Sequence, residues 1–170
     1  MLQASDAGAG AAAAVEEAKV QFSEKLIDGK AIASTVRAEV KQSALEIASR
    51  YGVQPGLAVV IVGSRPDSET YVRNKIKACG DCAILSFKHA LPEHASAEEV
   101  LDVIRGLNAD AAVHGILVQL PLPPHMDETT VLDAISADKD VDGFHPLVMG
   151  RLALRYLLLV VLSIFLPSCP

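Results

Sequence analysis

The first regular pattern of apolar positions begins after Asp28-Gly29. From Lys30 to Arg50, Ile32, Val36, Val40, Ala44, Leu45 and Ile47-Ala48 recur close to a helical period with charges between them, which predicts an amphipathic helix ended by Tyr51-Gly52. The pattern then changes to a continuous apolar run, Leu57 to Val62, bounded by Pro55-Gly56 and Gly63, as expected of a strand covered on both faces. Ser64 to Ser68 is a turn with a helix-capping candidate, and Glu69 to Cys79 has helical composition with acids early and lysines late. A second strand is predicted over Ala83 to Lys88, after the turn at Gly80-Asp81. Ser96-Ala97-Glu98-Glu99 is a capping box that opens a helix with Val100, Val103, Ile104 and Leu107 on one face, and a third strand is expected from Val113 to Leu120, stopped by Pro121. Helices alternating with strands give an α/β fold, three layers α/β/α with a mainly parallel sheet and right-handed crossovers. Ligands in such folds collect at the carboxyl ends of strands, here Gly63 to Lys75 and Val118 to Pro124.

Composition narrows this picture. The 170 residues suit one ordinary domain, and 51% apolar content supports a core, although Ala11 to Ala14 and the last fifteen residues inflate the figure. The net charge of −6 and the lack of a basic block argue against nucleic acid as a partner. Residues 1–25 read as a disordered Ala/Gly-rich leader, and Met1 to Val20 carries no arginine, unlike an organelle transit peptide. Three cysteines (Cys79, Cys82, Cys169) do not make a disulfide framework, so a cytoplasmic location is expected.

Several residues can carry chemistry, and each also has a plain structural reading. Tyr71 and Lys75 lie four apart, so a helix stacks an aromatic plate beside an ammonium; the same pair fits a solvated lysine next to a tyrosine at the helix edge. Gln119 sits in an otherwise apolar strand end, Ile116-Leu117-Val118-Gln119-Leu120-Pro121, where its amide needs partners from either a substrate or the adjacent turn. In Asp138-Lys139-Asp140-Val141-Asp142-Gly143 the bidentate glutamate of a calcium loop is missing, so no metal is expected; Asp138 and Asp140 fit a capped turn, and Asp142 can project a carboxylate into a cleft. Cys79 and Cys82 read as packing thiols, and the five histidines, without metal-ligand spacing, as surface or turn residues. Neither a Gly-x-Gly-x-x-Gly loop nor a Gly-x-x-x-x-Gly-Lys-Ser/Thr loop occurs.

Longer motifs add a resemblance. Ile27-Asp28-Gly29-Lys30, Pro55 to Gly63, Ser68 to Cys79, Gly115 to Pro123 and Lys139 to Pro146 stand in the order found in the bifunctional methylenetetrahydrofolate dehydrogenase/methenyltetrahydrofolate cyclohydrolase family. The chain from Leu26 to Arg155 resembles the family's folate-binding catalytic domain. The family oxidises 5,10-methylene-tetrahydrofolate with NADP and hydrolyses the 5,10-methenyl product to 10-formyl-tetrahydrofolate. By motif position, the resemblance makes Lys75 the catalytic lysine, with Gln119 positioning it, Tyr71 stacking on the folate and Asp142 orienting it. Val118 and Leu120, which flank Gln119, join the substrate contacts. A lysine partly withdrawn from water can exchange a proton with an attacking water.

The resemblance stops near Arg155. The family's Rossmann-type cofactor domain, with its own glycine-rich loop, is not matched, so NADP belongs to the full-length family and is not expected to bind this chain, and dehydrogenase activity is expected to fail. Family homodimer contacts lie mostly on that unmatched domain. Tyr156 to Leu166 is apolar except for Ser163 and shorter than the about 20 residues of a bilayer-spanning helix, so residues 156–170 read as a non-family apolar tail, from a truncated transcript or gene model, with no membrane partner. The resemblance implies a weak cyclohydrolase; a non-catalytic folate-binding or regulatory form is the alternative.

Overall fold

In a computed structural model, residues 27–165 are described, with side chains as far as 155. The leader at 1–25 and the side chains of the tail at 156–170, Cys169 included, lie outside the described residues. The described residues divide at Val36/Arg37 into two units. Asp28 opens helix α1 (Gly29–Tyr51), its carboxylate accepting the backbone N–H groups of Lys30 and Ala31, each at 3.0 Å.

The second unit contains a three-stranded parallel sheet in the order β2-β1-β3, built from β1 (Gly56–Val62), β2 (Leu85–Leu91) and β3 (Gly115–Val118). Helix α2 (Pro66–Asp81) connects β1 to β2, and α3 (Ala97–Ala109) carries the chain back past β1 to β3. Strand alternation sorts the core into two faces. Ala58, Val60, Val62, Ile116 and Val118 pack on Val100, Ile104 and Leu107 of α3, while Val59, Ile61 and Leu117 pack on Val72 and Ile76 of α2. These are the three layers that the sequence pattern predicts. Two further helices, α4 (Glu128–Asp133) and α5 (Pro146–Phe165), follow, and α5 runs through position 155 without a break.

The boundaries differ from the sequence expectation for local reasons. Helix α2 starts at Pro66 and not Glu69, because proline at a first helical position has no N–H to leave unpaired and its φ already suits the helix. No side chain caps it, since Arg65 stands at the N-cap and pairs with Asp67. Strand β2 runs from Leu85 to Leu91 and not from Ala83 to Lys88: Ala83 has φ +59°, and the Ile84 N–H bonds the Cys79 carbonyl, so the helix end occupies both residues. The strand then extends opposite β1 as far as Val62↔Leu91, which puts His89 half-buried inside a strand and not in a surface turn. Strand β3 is only four residues, since Val113 still closes a turn onto the Asp110 carbonyl and Gln119 supplies one last N–H, to the Val60 carbonyl at 2.8 Å. The Ser96–Glu99 capping box is present. The apolar positions of α1 from Arg37 onward are not buried as an amphipathic face would be: Ala44 is buried, but Val40, Leu45 and Ile47 are 39–47% exposed.

Candidate active site

Strand order 2-1-3 reverses direction at β1, so the gap between the carboxyl ends of β1 and β3 is a topological switch point, where the crossovers leave on opposite faces and a crevice opens. Helix α2 forms one wall. Ser68, Val72 and Cys79 of its buried stripe face the sheet, and Lys75 falls on the same stripe, which turns its long side chain inward and leaves it half-buried. On β3, Leu117 points to the α2 face, and Gln119, two residues on, points the same way. The two elements therefore meet through one polar contact: Lys75 Nζ donates to Gln119 Oε1 at 3.3 Å. The Gln119 Nε2 donates to the Leu120 carbonyl at 2.8 Å, which fixes the amide with its oxygen towards the lysine.

A third segment completes the site. The Ile116 N–H donates to the Lys139 carbonyl at 2.7 Å, and Asp140 pairs in parallel with Ile116, so residues 139–142 run alongside β3 and bring Asp142 level with its carboxyl end. Lys139 anchors this segment by donating to the carbonyls of Leu107 (3.0 Å) and Asp110 (2.7 Å) at the end of α3, where the helix dipole favours a cation. Gly115 lets it approach closely, since a Cβ there would lie 2.5 Å from Val141 Cγ1. The result is a cleft of about 220 Å³ lined by Lys75, Leu117, Val118, Gln119, Leu120, Asp142 and Phe144. Partial burial raises the Asp142 carboxyl from its ordinary pKa; Lys75 pulls it back down, and the nearby Asp140 charge raises it.

Five of the six residues singled out in the sequence thus share one cleft. Tyr71 stands apart from its walls, one helical turn before Lys75 and 63% exposed. Leu117 and Phe144 were missed; the strand period places Leu117 with Gln119, and Phe144 is an exposed aromatic two residues past Asp142. The remaining parts of the two strand-end loops, Gly63 to Pro66 and Pro121 to Pro124, line a separate cavity of about 520 Å³. Among the described residues no group of His, Cys, Asp or Glu is arranged to hold a metal. Cys79 and Cys82 are buried and free, and the Cys82 Sγ donates to the Arg37 carbonyl at 3.7 Å.

A parallel α/β domain whose lysine, amide and carboxylate line one cleft at a switch point has the architecture of a small-molecule-binding domain. Residues 27–142 match the model of the tetrahydrofolate dehydrogenase/cyclohydrolase catalytic domain, and the chain belongs to that family. It is 57% identical over 130 residues to the chloroplastic bifunctional protein FolD 4 of Arabidopsis thaliana, covering 76% of this chain and 36% of that protein. It is 54% identical over 127 residues to bifunctional FolD of Magnetococcus marinus, covering 75% and 45%. Among solved structures, the FolD methylenetetrahydrofolate dehydrogenase/cyclohydrolase of Campylobacter jejuni superposes with TM-score 0.73 at 46% identity (75% of this chain, 45% of that one). The Trypanosoma brucei enzyme, solved with NADP and an inhibitor, gives 0.74 at 39% (77% and 44%). The chain spans less than half the length of these relatives. Among the described residues, no helix is long and apolar enough to cross a membrane.

Proposed function

We propose that this chain is the folate-binding catalytic half of a methylenetetrahydrofolate dehydrogenase/cyclohydrolase, and that its cleft hydrolyses 5,10-methenyl-tetrahydrofolate to 10-formyl-tetrahydrofolate. The observation that carries this reading is the Lys75 Nζ to Gln119 Oε1 contact inside a cleft that also holds Asp142. In the hydrolysis, water oxygen bonds to the carbon between N5 and N10 and releases one proton. The second water proton then passes to N5 as the C–N5 bond breaks and the formyl group stays on N10. In this reading Lys75 Nζ, held by the Gln119 amide, exchanges these protons, Asp142 orients the folate, Tyr71 stacks on it, and Val118 and Leu120 contact it.

NADP would accept a hydride in the dehydrogenase reaction, but the described residues do not fit a dinucleotide. The loop after β1 reads Gly63-Ser64-Arg65-Pro66, with one glycine and a proline that has no N–H to offer a phosphate. A cytoplasmic location goes with the proposal, supported by two free thiols that fit a reducing compartment.

The test is loss of 5,10-methenyl-tetrahydrofolate absorbance with the purified chain and no NADP, beside Lys75→Met. We expect hydrolysis that falls by about 100-fold or more in the variant, the usual scale for removing a proton-transfer group. Unchanged hydrolysis in Lys75→Met removes Lys75 from catalysis. A folded chain that binds 5-formyl-tetrahydrofolate without hydrolysing the methenyl compound is the non-catalytic folate-binding form, and a folded chain that binds neither refutes the folate reading.

A further inference from the structure

The cleft is assembled from two rigid elements, α2 and β3, and one irregular segment, 140–145. Irregular backbone keeps a single shape only when its polar groups are paired. In this segment one side chain does most of the pairing. Asp140 Oδ1 accepts the N–H of Asp142 at 3.2 Å and that of Gly143 at 2.9 Å, and Oδ2 accepts the N–H of His145 at 2.9 Å. The backbone of Asp140 is itself fixed by its pairing with Ile116 on β3. Around this hub the chain alternates: Val141 packs over Gly115, Gly143 turns back with φ +73°, and Asp142 and Phe144 line the cleft.

We infer that Asp140 is a positioning residue: by gathering the backbone N–H groups of Asp142, Gly143 and His145 on one carboxylate, it holds the Asp142 carboxyl and the Phe144 ring against the Lys75 cleft. This rests on the folate reading of that cleft. Asp140 does not itself line the cleft; it acts through the backbone of neighbours that do. A carboxylate is the side chain suited to this task, because its two oxygens accept several N–H bonds at once and its charge strengthens each of them. Its charge also opposes that of Asp142, a cost that an ordinary surface turn would have no reason to carry.

The test compares Asp140→Ala, which loses all three acceptors, with Asp140→Asn, which removes the same charge yet keeps an oxygen for Asp142 and Gly143. Binding of 5-formyl-tetrahydrofolate is measured by calorimetry well below each melting temperature, so that only folded protein is compared. We expect at least tenfold weaker binding for Asp140→Ala and recovery to within about threefold of the parent for Asp140→Asn. In Asp142→Ala, adding Asp140→Ala should weaken binding little further, since the two act as one unit. Carbon-13 titration of the Asp142 carboxyl gives a readout without ligand: it should stay raised in Asp140→Asn and return to its ordinary range in Asp140→Ala. Should Asp140→Ala not fold, Asp140→Ser, with one hydroxyl acceptor, takes its place and should fall between the other two. A folded Asp140→Ala or Asp140→Ser that binds within twofold of the parent, or that titrates Asp142 as Asp140→Asn does, overturns the inference. A parent chain that does not bind the folate refutes the earlier reading, and the carboxyl titration still decides the role of Asp140.

Discussion

Adding one methyl group at Gly115 tests how the third wall of the cleft is held. Gly115 opens β3 and is buried, and Val141 lies directly over it: an alanine Cβ would sit 2.5 Å from Val141 Cγ1 and at an ordinary 3.4 Å from Leu57 Cδ1. Carbon atoms settle at about 3.5–4.0 Å, so Val141 must retreat by roughly 1 Å or more. Val141 is 55% exposed and can swing towards solvent, which keeps the cost at the lower end of overpacking, about 1–2 kcal/mol. That corresponds to a melting temperature roughly 3–8 °C lower for a domain of this size. Val141 stands between Asp140 and Asp142, so its retreat also carries the carboxylate out of line with Lys75, and folate binding should weaken several-fold. Thermal melts by circular dichroism and calorimetric titration with 5-formyl-tetrahydrofolate measure the two effects. The decisive control is Gly115→Ala combined with Val141→Ala: removing the Cγ atoms relieves the clash, and the double variant should melt above Gly115→Ala alone. If Gly115→Ala melts within 1 °C of the parent and binds equally, the close approach of residue 141 to β3 does not set the site, and the reasoning fails.

Further outcomes follow from the same geometry. Since the folded state raises the Asp142 carboxyl from its ordinary pKa, mainly by burial, folding favours its protonated form, and the parent loses stability as pH rises from the ordinary carboxylate range through the raised value. Asp142→Asn should therefore melt above the parent at neutral pH, the gain disappearing below the ordinary carboxylate range, while folate binding weakens; a parent that melts higher at neutral pH contradicts this. Lys139→Met removes the cation that holds the carbonyls of Leu107 and Asp110 and should cost about 1–3 kcal/mol, read as a lower denaturant midpoint with unchanged slope. An unchanged midpoint would show that water replaces the lysine at no cost.

The pattern of apolar and polar residues by itself determined the alternation of helices and strands, the parallel sheet and the Ser96 capping box, because burial on two faces and local capping leave periodic marks along a chain. The motifs around Lys75, Gln119 and Asp142 were likewise legible, since side-chain chemistry at fixed spacing is a property of the sequence. Strand ends were not. Ala83 and Ile84 are strand-compatible residues that the end of α2 claims with its last hydrogen bonds, and β2 reaches Leu91 because β1 supplies partners that far. Val141 and Asp140 owe their places to contacts with β3, more than twenty residues away in sequence, and no local propensity encodes those. Only the tertiary structure decided that a lysine on one crossover helix, an amide on a strand end and a carboxylate on a loop face one another. Each occupies its position through a different set of backbone pairings, and their proximity exists only once β1 and β3 lie side by side.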